Sequence, residues 1–112
     1  MEFDSNKPIY IQIADNICER ILSGEFKPGG RISSVREWGA QIGVNPNTVA
    51  RSYEILTDRK VIYNQRGIGF FVADDAIDVI RGTERRKFID EELPLFCNRA
   101  ALLGIDLKDY IK

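Results

Sequence analysis

The chain of 112 residues has no histidine, one methionine, one tryptophan and two cysteines. Without an imidazole base, any histidine-dependent catalytic triad is excluded. Two cysteines cannot fill a tetrahedral zinc site without carboxylates, so no metal and no cofactor are expected. Cys18 and Cys97 both sit among apolar, helix-like residues, which reads as a cytoplasmic protein with reduced thiols. No apolar run approaches the ~18 residues of a membrane span, and Met1, Glu2, Phe3 and Asp4 do not resemble a signal peptide, so no membrane partner is expected. Net charge is nearly absent too, with 16 Lys and Arg against 17 Asp and Glu. Any signal for a charged partner must therefore be local.

Enzyme chemistry is also missing. Asp74 with Asp75 and Glu91 with Glu92 are adjacent carboxylates, which point apart on a helix and read as solvated. Gly67 and Gly69 form a glycine pair with no helix after it, so it is not a phosphate-binding loop. With no convergent nucleophile, base or metal set, the chain reads as a non-enzyme.

What is present is a core and a sequence of elements. The chain is 44% hydrophobic, enough for one small domain with an appended element. Ile9, Ile13, Ile17 and Ile21 recur every four residues, which predicts an amphipathic helix over 8–25. Ser34 and Glu37 form a capping-box pair at the start of a second helix, which Gly43 stops. Asn45 as cap and Pro46 at the first position open a third, with Val49, Tyr53 and Leu56 on one face. Two short helices joined by Gly43, Val44 and Asn45 have helix-turn-helix spacing. Residues 61–64 and 69–72, rich in β-branched and aromatic side chains around a glycine-bearing tip, predict a β-hairpin. Trp38, Tyr53, Phe70 and Phe71 are core candidates.

Helix, helix-turn-helix, hairpin is the order of a winged helix, mainly α with a small β-hairpin. Its third helix is short enough to enter the ~12 Å major groove of duplex DNA end-on. Asn47, Thr48 and Arg51 lie opposite Val49, Tyr53 and Leu56, and they carry the amide, hydroxyl and guanidinium groups that bond base edges or phosphates. Asn45 either caps the helix or joins them. Arg36, at the second position of the second helix, adds a guanidinium where free amides already favour an anion. Arg66 and Gly67 make a basic, backbone-exposed wing tip suited to the minor groove or phosphates. Within 31–66 the balance is 6 basic to 3 acidic side chains, a local polyanion signal. The alternative is a winged helix serving as a protein-interaction or RNA-binding module.

The run from Pro8 through Gln12 to Ile13, the stretch Ile21 to Ile32 with Gly24, Pro28, Gly29 and Arg31, the Ser34-Val-Arg-Glu37 segment, Gly43-Val-Asn-Pro-Asn-Thr-Val-Ala-Arg51, and Arg66, Gly67, Gly69 and Val72 together resemble the GntR family of bacterial transcription regulators. The form of residues 44–51 and the short tail are similar to the YtrA subfamily. The resemblance covers about residues 7–73. It implies a dimeric winged-helix regulator, usually a repressor, on a palindromic double-stranded DNA operator. It also implies DNA contacts from Arg36, Asn45, Asn47, Thr48, Arg66 and Gly67. Much of the family has arginines where this chain has Pro46 and Ala50, so base preferences do not carry over.

Residues 1–73 are thus expected to form the DNA-binding domain and 74–112 a helical dimerisation tail. In that tail Phe88, Ile89, Leu93, Phe96 and Leu103 supply the apolar stripe for self-association into a homodimer. Gly82 and Pro94 are expected to kink or break the tail helix, and Asp106 to cap a last short helix over 107–111. The sequence names no small effector, and no hollow of ~300 Å³ or more is expected within one chain.

Overall fold

The isoleucine repeat forms α1 (Ile9–Leu22), and Ile13, Ile17 and Ile21 are all but fully buried. Each such side chain contributes about 1.5–3 kcal/mol by leaving water. In this computed structural model, which describes residues 6–111, the helix ends at Leu22, three residues before its apolar pattern does, with Ser23 as its C-cap. Arg31 then makes a single antiparallel bridge to Phe71, so the extended piece lies along the hairpin edge.

Helix α2 (Val35–Ile42) begins with both halves of the capping box. The Glu37 N–H donates to Ser34 Oγ and the Ser34 N–H to Glu37 Oε1, each at 3.1 Å. It ends at Gly43, whose φ of +71° is left-handed and favours glycine. Helix α3 (Pro46–Asp58) is capped by Asn45 Oδ1, which accepts the Asn47 N–H at 2.8 Å. Val49, Ser52, Tyr53 and Leu56 form its buried face. Strands β1 (Ile62–Gln65) and β2 (Gly69–Val72) pair antiparallel, from Ile62 opposite Val72 to Gln65 opposite Gly69.

Two of the four aromatic core candidates, Trp38 and Tyr53, are buried. Phe70 is half-buried against the core, edge-on to Tyr53 at 4.9 Å. Phe71 is the correction. Strand alternation turns it to the other face, where it stacks on exposed Tyr63 at 5.6 Å.

The chain divides into two compact units, with the boundary between Ile80 and Arg81. The first unit runs past Ala73 because α4 (Ala76–Lys87) buries Ala76 and Ile80 in the same core as α1 and α3.

In the second unit Gly82 does not interrupt α4. Pro94 does not break the helix either. A π-helical turn, Phe88–Glu92, leads into α5 (Leu93–Leu102), and the Leu93 N–H reaches back to Phe88 O. A proline lacks its own donor and crowds the carbonyl four residues earlier; the wider turn accommodates both effects. After Gly104, the Ile105 N–H bonds Ala100 O at 2.9 Å, turning the chain back over α5. Asp106 caps the last turn by accepting from Lys108, but the turn is a short 3₁₀ helix, Leu107–Asp109. This return segment supplies a second wall, so one chain forms a hollow of about 440 Å³ that is open to solvent, lined by Phe96, Arg99, Ala100, Leu103, Ile105, Leu107 and Tyr110. The expectation of no hollow this large therefore fails. Among the described residues, no helix is long and apolar enough to cross a membrane.

Candidate nucleic-acid interface

Three contacts set the angle between the helices that would carry DNA contacts. Ser52, fully buried, donates from Oγ to Tyr10 O at 2.7 Å and ties α3 to the start of α1. Tyr53 donates from its hydroxyl to Ser33 O at 2.6 Å, pinning the chain just ahead of α2. Burial, and then the nearby Glu37 carboxylate, push the Tyr53 pKa upward, which keeps that donor protonated. Gly39 provides the third: a Cβ there would lie 2.7 Å from Val44 O, so the turn packs directly on the α2 backbone.

On this frame Arg36 is exposed at the start of α2. Its neighbour Glu37 is held by Ser34. The Ser34 backbone N–H, then its hydroxyl, and last the charge of Arg31 keep the Glu37 carboxyl below its ordinary range. Glu37 is thus occupied by the cap, and Arg36 forms no ion pair among the described residues.

At the start of α3 Asn45 and Asn47 are exposed and Thr48 is half-buried. Asn45 has its side-chain oxygen committed to the cap, which leaves its amide NH₂ as the outward donor. Arg51 is exposed but not free-swinging. Its guanidinium lies 4.0 Å over the Tyr10 ring, a cation–π contact that orients it along the α1 side of α3. Arg66 and Gly67 occupy the exposed hairpin tip, where Gly67 has a φ of +80°. A groove of about 270 Å³, lined in part by Ala50, Tyr53, Glu54, Asn64 and Phe70, separates α3 from the hairpin.

Arg31 and Tyr10 are the residues that sequence reasoning passed over. The Arg31 Nε lies only 3.0 Å from where a Gly69 Cβ would stand, so its guanidinium rests on the base of the wing. Its position within the quoted motif was the available signal. Nothing in the periodicity places Tyr10 beneath Arg51.

A helix-turn-helix with a braced third helix and a basic hairpin defines a winged-helix DNA-binding protein. Residues 9–72 match the profile of the bacterial regulatory proteins of the gntR family. The chain belongs to this GntR family and is a DNA-binding transcription regulator. It is 38% identical to the HTH-type transcriptional regulator YhcF of Bacillus subtilis, over 99% of this chain and 90% of that protein. It is 34% identical to the HTH-type transcriptional repressor YtrA of the same organism, over 93% and 79% of the two chains. Among solved structures, a GntR-family regulator from Bacteroides thetaiotaomicron is 48% identical, with a TM-score of 0.73 over 91% of this chain and 88% of that one.

Proposed function

We propose that this regulator is a cytoplasmic repressor without enzymatic activity, which binds a palindromic operator as a homodimer. Asn45, Asn47 and Thr48 enter the major groove at the N-terminus of α3. Arg36 takes a guanine or a flanking phosphate, and Arg51, oriented by Tyr10, takes a phosphate beside them. Arg66 and Gly67 bring the wing tip to the adjacent minor groove or backbone, with Arg31 behind them. The observation that carries this reading is the exposed basic and amide-bearing end of α3 beside exposed Arg36, on helices braced by Ser52, Tyr53 and Gly39.

Residues 74–112 supply the dimer contact through Phe88, Ile89, Leu93, Phe96 and Leu103, which are 37–62% exposed in the single chain. Pairing two half-site contacts raises effective affinity without any new contact, and a two-fold dimer matches a two-fold operator. Selection from a randomised duplex pool by the full chain tests this. The expected outcome is a two-fold symmetric consensus with half-sites about one helical turn (~34 Å) or a multiple apart. No enrichment from duplex DNA, or preferential capture of RNA, overturns it.

A further inference from the structure

Helix α3 carries two carboxylates that its own stability argues against. Glu54 and Asp58 stand one turn apart, where like charges repel, and Asp58 ends the helix, where the dipole disfavours an anion. Both are exposed, and neither forms an ion pair among the described residues, although Arg59 and Lys60 follow directly. The fold gains nothing from them.

Their direction is informative. At ~100° per residue, Asn47, Arg51, Glu54 and Asp58 fall within about 60° of one another, opposite buried Val49, Ser52, Tyr53 and Leu56. The carboxylates thus share the outward face of Asn47 and Arg51, about 10 and 16 Å beyond Asn47 along the axis. With Ala50 and Asn64 they also line the groove of about 270 Å³ between α3 and the hairpin, and no lysine or arginine lines it.

With the start of α3 in a major groove and the wing tip in the adjacent minor groove, the strand dividing the two must cross this gap. Its phosphates meet a gradient along α3. Toward the N-terminus the gap is edged by the small side chain of Ala50, with Arg51 beside it; one turn on, Glu54 and then Asp58 repel a phosphate. A duplex held by base contacts at the first two turns keeps its backbone near Ala50. A duplex held by phosphate charge alone has many seats, and those that rock along α3 bring phosphates onto both carboxylates.

We infer that Glu54 and Asp58 are specificity-determining residues that act by repelling the DNA backbone: they confine docking to the first two turns of α3 and weaken binding to duplexes lacking the operator's bases. The inference rests on the DNA-contact reading and adds to it the depth to which α3 docks.

The test compares the full chain with its Glu54→Gln, Asp58→Asn double variant by fluorescence anisotropy on two labelled duplexes of equal length. One is the selected operator and the other has an unrelated sequence. The variant is expected to bind the unrelated duplex about tenfold more tightly at low salt, and the operator at most about threefold more tightly. The gain should shrink as salt rises and screens the carboxylates. Neutral side chains relieve repulsion within α3, so the variant should be at least as stable to urea as wild type. Equal gains on the two duplexes, or no gain on the unrelated one, overturn the inference and leave the DNA-contact reading standing. So does a loss of operator binding confined to one base step, which would make Glu54 a base reader. A wild type that binds neither duplex overturns the DNA-contact reading itself.

Discussion

Replacing Gly39 with alanine gives the sharpest test of how the helix-turn-helix is built, because two effects oppose and the structure decides which wins. In a helix interior free of neighbours, glycine to alanine stabilises by about 0.5–1 kcal/mol. Here the new Cβ would lie 2.7 Å from Val44 O and 3.6 Å from the Pro46 Cα. Both are backbone atoms of the turn, so neither can rotate away. The turn must lift by several tenths of an ångström, disturbing the Val44 N–H bond to Gly39 O, now 2.9 Å. Overpacking of this kind costs about 1–3 kcal/mol. Subtracting the propensity gain leaves a net destabilisation of up to about 2.5 kcal/mol, about 1 kcal/mol at mid-range. Urea unfolding followed by fluorescence of Trp38, which neighbours the site, reads it directly. The lifted turn also displaces Asn45 and Pro46, so duplex affinity falls with stability. A variant more stable than wild type, as an uncrowded helix position would give, refutes the close approach of the turn to α2.

Ser34→Ala removes half of the capping box and is expected to cost about 0.5–2 kcal/mol in the same unfolding assay. Ser34 holds the Glu37 carboxyl below its usual value of 4.5, so the bonus is full above that pH and fades as pH falls through the depressed value. Wild type should therefore lose more stability than Glu37→Gln between about pH 5 and pH 3, which an acid titration followed by circular dichroism measures. Tyr53→Phe leaves Ser33 O without its 2.6 Å donor and should cost about 1–3 kcal/mol on chemical unfolding. A chain ending at Ala73 loses Ala76 and Ile80 from the core and should melt below one ending at Gly82, by calorimetry.

Much of the fold was legible because its signals are local. The Ser34 and Glu37 cap, the Asn45 and Pro46 helix start and the glycine-tipped hairpin each depend on a few adjacent residues, and each appears as expected. The failures are tertiary. Phe71 has the hydrophobicity of a core residue, and only strand register turns it toward Tyr63. Pro94 forbids a regular helix but cannot say whether the chain will break or widen, and the widening at Phe88–Glu92 depends on the turns around it. The end of the first unit at Ile80 reflects packing that no composition shift marks. Within the candidate interface the residue types were readable, but the support under them was not. Arg51 over Tyr10 joins residues 41 positions apart, and Arg31 against Gly69 joins residues 38 apart.

The central claim is that the start of α2, the start of α3 and the wing tip face duplex DNA. A salt titration of the full chain on its selected duplex, for wild type and Arg36→Ala, tests it most directly. Wild-type affinity is expected to fall linearly on a log–log scale as salt rises. Arg36→Ala should weaken binding by about 1–3 kcal/mol if it contacts a guanine, or reduce the slope by about one if it contacts a phosphate. Wild-type binding insensitive to salt, or an Arg36→Ala variant with unchanged affinity and slope, would contradict it.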